Sequence, residues 1–294
     1  MADRPKAGLP RAILFDMDDT LIRAYAQPEE AWTRLLHVFS AHLDAHDEAA
    51  LTRVRLAIME EARAFWNDRA EAAKWRLDIP GARRLSVRRG LAKLGRADDE
   101  LADRIADSFT ELRRQEYRLY PDAHATVDAL RDAGVRLALV TNGASETQRA
   151  KIERFELAHR FHHIQIEGEF GQGKPELAVY RHALERLGVA AEEAWMVGDN
   201  YEWEVVAPQA LGMCGIWYDP FDAGVPANAT AKPTRIIKRL AELIEKRTGR
   251  AIRPRCAAAR RSRRVRRPPS PRRCGARVRS AAWCRGSPET ACRR

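Results

Sequence analysis

A chain of 294 residues has room for about two domains and a sizeable core. Its apolar residues fall in short runs, none near the roughly 20 needed to span a bilayer, which argues against a membrane-spanning protein. Met1 to Arg11 is charged and holds two prolines but no apolar signal core, so the chain reads as cytoplasmic. The formal net charge of +11 is unevenly spread. Residues 251–294 carry fifteen Arg, no Lys and a single acid, Glu289, for a net +14, and the other 250 residues sum to −3. Four of the five cysteines, Cys256, Cys274, Cys284 and Cys292, also lie in this tail.

In chain order, Ala12 to Phe15 is a short apolar run ending in acids, too short for a helix, and predicts a buried strand. From Pro28 the period changes. Trp32, Leu35, Leu36, Phe39 and Leu43 share one helical face, as do Leu51, Val54, Ile58, Ala62 and Phe65, and then Leu101, Ile105, Phe109 and Leu112. Residues 23–120 therefore read as an all-helical block without strands.

Beyond Tyr120-Pro121, apolar runs alternate with helical stretches. Helices are expected over Val127 to Ala133, closed by Gly134, over Ser145 to Phe155, over Pro175 to Leu187, closed by Gly188, and over Ile236 to Lys246. Strands are expected at Val135 to Val140, Ile164 to Ile166, Ala194 to Val197 and Cys214 to Tyr218. Alternating strands and helices imply right-handed crossovers and a parallel sheet covered on both faces. The expected architecture is α/β: a Rossmann-like core from residues 1–22 and 121–250, an all-α cap inserted as residues 23–120, and a tail at 251–294.

Such sheets bind ligands beyond the carboxyl ends of their strands. There the sequence places Asp16-Met17-Asp18-Asp19-Thr20, Thr141-Asn142-Gly143 and Gly198-Asp199-Asn200, with Lys174-Pro175 opening a helix. Carboxylates two apart on an extended segment face the same side. With Asp199 beside them they concentrate anionic oxygen, which suits a hard cation such as Mg²⁺. Lys174 and the Thr141 hydroxyl supply donors for an anion. A metal with oxygen ligands beside a lysine is equipment for phosphoryl transfer, with one carboxylate able to act as nucleophile and its neighbour as acid and base.

In order and spacing, Phe15 to Leu21, Val140 to Gly143, Lys174-Pro175 and Val197 to Asn200 resemble the four signature motifs of the haloacid dehalogenase superfamily. The helical insertion resembles the cap of the subfamily that includes phosphoglycolate phosphatase and N-acylneuraminate-9-phosphatase. The resemblance implies an Mg²⁺-dependent phosphatase of a small phosphorylated metabolite working through an aspartyl-phosphate. Asp16 would be the nucleophile and Asp18 the general acid and base. Thr141 and Asn142 would hold the phosphate, and Lys174 would neutralise charge. Asp16, the Asp18 carbonyl and Asp199 would hold the metal. The family often has a second acid five residues beyond the Gly-Asp aspartate; here that position is Glu204, one methylene longer than the usual Asp. Haloacid dehalogenases lack the second aspartate, because halide departure needs no proton, so Asp18 favours phosphate ester hydrolysis. A phosphomutase shares all these core residues.

In the cap, Trp66, Lys74, Trp75, Arg76, Arg83, Arg84, Arg88 and Arg89 are candidate substrate contacts, although packing tryptophans and a solvated basic face account for most of them. His159, His162 and His163 lack a matching ligand set and read as surface residues. The Arg/Pro-rich tail cannot bury enough apolar area to fold alone. It is either an arm for nucleic acid or another anionic surface, or the out-of-frame or read-through translation of GC-rich DNA.

Overall fold

A computed structural model describes residues 5–6, 8–25 and 27–245. The expected tail at 251–294 and the last residue of the expected final helix, Lys246, lie outside the described residues. Strand β1 (Ala12–Phe15) is fully buried, and β2 (Ile22–Arg23) leads away from it. Five helices follow: α1 (Glu29–Val38), α2 (Glu48–Asn67), α3 (Arg69–Trp75), α4 (Ile79–Lys93) and α5 (Asp99–Glu116). Four of them start where an aspartate satisfies the free N–H groups of the first turn. Asp47 accepts from Ala50 N, Asp68 from Ala70 N, Asp78 from Gly81 N and Asp98 from Leu101 N.

These helices pack on one another through the faces predicted from their periodicity. Trp32, Leu35, Leu36, Leu51, Val54, Ile58, Ile105 and Phe109 form a core of their own, with the Trp32 and Phe109 rings stacked at 3.7 Å. Helices α2 and α4 approach so closely that a Cβ on Gly90 would stand 2.8 Å from Ile58 Cα. A larger residue there would drive the two helices apart.

The insert is not wholly helical. Strand β3 (Arg118–Leu119) pairs antiparallel with β2, placing Ile22 opposite Leu119 and Arg23 opposite Arg118. The chain leaves and re-enters the core side by side, and two residues per strand are too few to leave a periodic signal.

After α6 (Ala123–Asp132) come β4 (Arg136–Thr141), α7 (Ser145–Arg154), β5 (His163–Ile166), the single turn α8 (Glu167–Phe170), α9 (Leu177–Leu187) and β6 (Ala194–Gly198). A π-helical turn, Glu202–Val206, runs into α10 (Ala207–Ala210), and β7 (Cys214–Tyr218) and β8 (Arg235–Ile237) complete the sheet. The six strands are parallel in the order β5-β4-β1-β6-β7-β8. The fold is the Rossmann-like α/β sheet with an inserted helical cap that the sequence pattern implied. Two apolar clusters form its core, one including Ile13, Phe15, Leu137 and Val197, the other Leu14, Val140, Tyr180 and Met196. Alternate residues of each central strand thus serve opposite faces.

The helix expected from Ile236 to Lys246 is replaced by β8 and a short 3₁₀ turn, Leu240–Leu243. β-Branched Ile236 and Ile237 suit the sheet edge left open by β7, where Ile236 pairs with Trp217 and Ile237 with Tyr218. Leu240 and Leu243, three apart, bury the same side of the turn. Among the described residues, no helix is long and apolar enough to cross a membrane.

Candidate active site

Parallel pairing brings the carboxyl ends of β4, β1 and β6 together, and with them Thr141, Asp16 and Asp199. Asp16 extends the ladder, its N–H donating to Val197 O at 2.9 Å, so its side chain leaves the sheet at the centre of that edge. Asp19 then turns the chain in a left-handed conformation, φ 59°, which an aspartate tolerates because its carboxylate accepts from the N–H groups of Ala24 and Tyr25 at 2.9 and 3.0 Å.

Two separate charge networks converge here. In the first, Lys174 is fully buried, and its Nζ donates to Asp16 Oδ1 at 2.5 Å and to Glu204 Oε1 at 2.8 Å. Thr20 Oγ1 donates to Asp16 Oδ2 at 3.0 Å and lies 3.5 Å from Asp199 Oδ1. Asn142 positions Lys174 through two bonds: its Nδ2 donates to Lys174 O at 2.9 Å, and Lys174 N donates to its Oδ1 at 2.7 Å. The Asn142 carboxamide is therefore engaged with the lysine peptide beside the cavity. Gly198 is required sterically, since a Cβ there would collide with Glu204 Cγ and stand 2.9 Å from Asp16 Cβ.

In the second network, buried Lys151 donates from Nζ to both Asp18 carboxylate oxygens, at 2.7 and 2.8 Å, and to Tyr25 Oη at 3.1 Å. Gln148 Nε2 lies 2.8 Å from Asp18 Oδ2 and 2.6 Å from Thr141 Oγ1. Helix α7 presents both residues, Gln148 and Lys151 being three apart on one face.

Burial raises the pKa of Asp16, with the neighbouring Lys174 ammonium opposing it. It raises Asp199 well above the usual carboxylate range, where the negative charges of Asp16 and Glu204 add to the effect. Glu204 is pushed up to about 7, by burial first; Lys174 pulls it down and Asp16 adds to the rise. Burial alone would lower the Lys174 pKa, but Asp16 and Glu204 outweigh it and the net shift is upward.

Folded Glu204 keeps a proton that the unfolded chain releases between about 4.5 and 7, so its contribution to stability falls as pH rises through that window. In chelator, unfolding free energies of wild type and Glu204→Gln measured from pH 4.5 to 7.5 should diverge. Wild type should lose on the order of 2 to 3 kcal/mol relative to the variant across that range. Parallel profiles would show that Glu204 does not titrate there.

Buried Asp16 and Glu204 flank one buried ammonium with half-buried Asp199 beside them, and among the described residues Glu204 Oε2 has no hydrogen-bond partner. This excess of oxygen donors fits a hard divalent cation better than a thiolate- or imidazole-binding metal. Among the described residues no group of three or more His, Cys, Asp or Glu side chains forms a ready-made metal cluster. A set with two carboxylates and one main-chain carbonyl does not require such a group.

A cavity of about 540 Å³ lies between this edge and the cap, bounded below by Asp16, Thr141 and Asp199 and above by Trp66, Arg83 and Phe109. Several cap candidates point elsewhere. Arg84 forms a two-bond pair with Asp107, Arg88 pairs with Asp103, and Trp75 donates to Glu71 while packing on Phe65. Arg76 instead bonds the buried carboxylate of Glu167, which also accepts from Gly143 N at 3.0 Å and so ties the cap to the Thr141 loop. The three histidines stay out of the site. His162 Nδ1 accepts from Leu137 N at the sheet edge, and His163 neighbours Gln165 and His182.

Lys151, Gln148 and Glu167 carry no motif in the sequence, and Thr20 stands in the first motif without a role of its own. Lys151 and Gln148 sit in a mostly polar helix, and no local pattern distinguishes them from surface charges. Glu167 alone carried a usable signal, as the acid immediately after a strand end.

The model of the haloacid dehalogenase-like hydrolases matches residues 10–212. A phosphoserine phosphatase of Thermus thermophilus is 34% identical over 224 residues, 71% of this chain and 88% of that protein. The N-acylneuraminate-9-phosphatase of Rattus norvegicus is 26% identical over 79% of this chain and 92% of its own length. Among solved structures, the hydrolase YfnB of Bacillus subtilis shares the fold at TM-score 0.60 and 24% identity, covering 80% of this chain and 97% of that one. The chain belongs to the haloacid dehalogenase-like hydrolases and is an enzyme of their phosphoric monoester hydrolase type.

Proposed function

We propose that the protein hydrolyses the phosphate monoester of a small metabolite through an aspartyl-phosphate on Asp16, with Mg²⁺ as cofactor. The observation that carries this is the pairing of two differently held carboxylates at one cavity. Asp16 is anchored by Lys174 and Thr20, and Asp18, two residues on, is anchored by Lys151 and Gln148. Asp16 attacks phosphorus while the bond to the ester oxygen breaks, and Asp18 gives its proton to the departing alkoxide. Asp18 then takes a proton from the water that attacks the phosphoenzyme, releasing inorganic phosphate and restoring Asp16.

Lys174 offsets negative charge on Asp16 and the bound phosphate, and Thr141 offers a hydroxyl at the phosphate end of the cavity. Asn142 acts by holding Lys174 in place. Asp16, Asp199 and the Asp18 carbonyl would hold Mg²⁺, which would draw charge from the phosphate oxygens during transfer. Asp18 also argues against halide displacement, which requires no proton donor. The relatives named for phosphoserine and N-acylneuraminate 9-phosphate, together with three named for glyceraldehyde 3-phosphate, supply the first substrates to try.

Phosphate release from such a panel, measured with chelator and then with added Mg²⁺, is the test. Chelation should lower turnover by about 10²- to 10³-fold and Mg²⁺ should restore it. Full turnover in chelator would remove the cation from the mechanism, and no release from any ester would remove the hydrolase.

A further inference from the structure

Arg63, Arg76, Arg83 and Arg113 of the cap all line the cavity; Arg76 and Arg113 are paired with acids and Arg63 is exposed, which leaves Arg83 as the half-buried one without an acid partner among the described residues. It lies in the cavity wall, with its guanidinium carbon 5.3 Å from the Phe109 ring centroid and 6.0 Å from that of Tyr25. Among the described residues its one hydrogen bond, from Nη1 to Thr110 Oγ1 at 3.1 Å, goes to a neutral hydroxyl. Among the described residues no carboxylate lies within ion-pair distance of it, whereas Arg76, Arg84, Arg88 and Arg113 are each paired with an acid. The nearby charges of Arg113 and Arg114 are of its own sign.

A half-buried cation without a counter-ion is costly, and among the described residues most of its guanidinium donors have no protein acceptor. What completes the group is an anion that enters the cavity. The same Tyr25 ring lies 4.8 Å from Lys151 Nζ, which holds Asp18, so one aromatic side chain separates the Arg83 position from the acid-base aspartate.

We propose that Arg83 is the specificity residue of this site and that it binds a carboxylate on the substrate, so that the preferred substrates are small phosphorylated carboxylic acids. This rests on the phosphatase proposal for the reaction but is separable from it for binding. The planar fork of guanidinium matches a carboxylate through two parallel bonds. One guanidinium balances one carboxylate charge, while a second phosphate would leave excess negative charge against Phe109 and Trp66. The phosphate lies at the Asp16 end and the carboxylate at the cap, so the two anions read the length of the substrate as well as its charge.

The test uses the full chain in two arms. In the first, kcat/KM is measured for a phosphorylated hydroxy acid and for its carboxamide analogue. Wild type should prefer the acid by about 10²-fold or more, since a site built around a charged group penalises the analogue that leaves it unpaired. In Arg83→Gln the ratio should fall to near one, and in Arg83→Lys, which keeps the charge but not the fork, it should lie between. In the second arm, phosphonoacetate and methylphosphonate binding is followed by tryptophan fluorescence, which needs no turnover. Phosphonoacetate should bind wild type at least about tenfold more tightly, and Arg83→Gln should erase the difference.

A wild-type ratio near one, a bisphosphate preferred over the acid, or a ratio unchanged in a folded Arg83→Gln protein would each overturn the proposal. Arg83-dependent phosphonoacetate binding without hydrolysis of any ester would sustain the carboxylate site while the phosphatase proposal fails.

Discussion

Asp16→Asn is expected to lower phosphate release by about 10⁴-fold or more while leaving the protein folded, because it removes the only atom proposed to bond to phosphorus. The substitution is nearly isosteric. An amide oxygen can still accept from Lys174, and the Thr20 hydroxyl can turn to accept from the new amide N–H. Burial already disfavours the Asp16 charge, so neutralising it relieves a desolvation cost that offsets the weakened contact with Lys174. Thermal unfolding should stay within about 1 kcal/mol of wild type. Rates are best followed by inorganic phosphate release under single-turnover conditions, and retained turnover in a pure sample would dismiss Asp16 as nucleophile.

The second large effect concerns Lys174, the fully buried hub between Asp16 and Glu204. Lys174→Met keeps the length of the side chain and removes its charge, leaving two buried carboxylates without compensation. Removing one partner of such a buried network costs about 3 to 5 kcal/mol. Activity should fall about 10³-fold, because the ammonium also offsets the charge of the incoming phosphate. Adding Glu204→Gln to Lys174→Met should recover at least half of the lost stability, since one uncompensated charge is gone, but none of the activity. Chemical denaturation of the two single variants and the double variant measures this coupling. Strictly additive losses would show that Glu204 and Lys174 do not act as a pair.

How much of this site was legible in the residues follows from how each part is encoded. Asp16, Thr141 and Asp199 were found because each immediately follows a run of buried apolar residues, and parallel pairing carries all strand ends to one edge. Lys174 was found by its place in the motif order. Its neutralising role was implied, but its bond to Glu204 was not, because that bond depends on how the π-helical turn after β6 folds back under Gly198. Lys151 is the clearest omission. In Ser145–Arg154 it has the look of a solvated helix residue, yet it is buried and holds Asp18 across a sequence separation of 133. The cap arginines divide similarly: Arg84 and Arg88 belong to a solvated face as expected, while Arg83, one position from Arg84, faces the cavity.

Composition, apolar period and motif order by themselves determined the α/β class, the inserted helical cap, the strand ends that carry the chemistry, and the division of charge between a −3 body and a +14 tail. These are encoded locally, because burial repeats every two or three to four residues and helix caps lie beside the turns they close. Only the tertiary structure decided that β2 and β3 join the insert to the sheet, that Ile236-Ile237 is an edge strand, that Lys151 and Glu204 belong to the site, and that Arg83 has no acid of its own among the described residues. Each of these is a pairing between distant segments, and an ion pair, or the lack of one, is set by which surfaces the fold presses together.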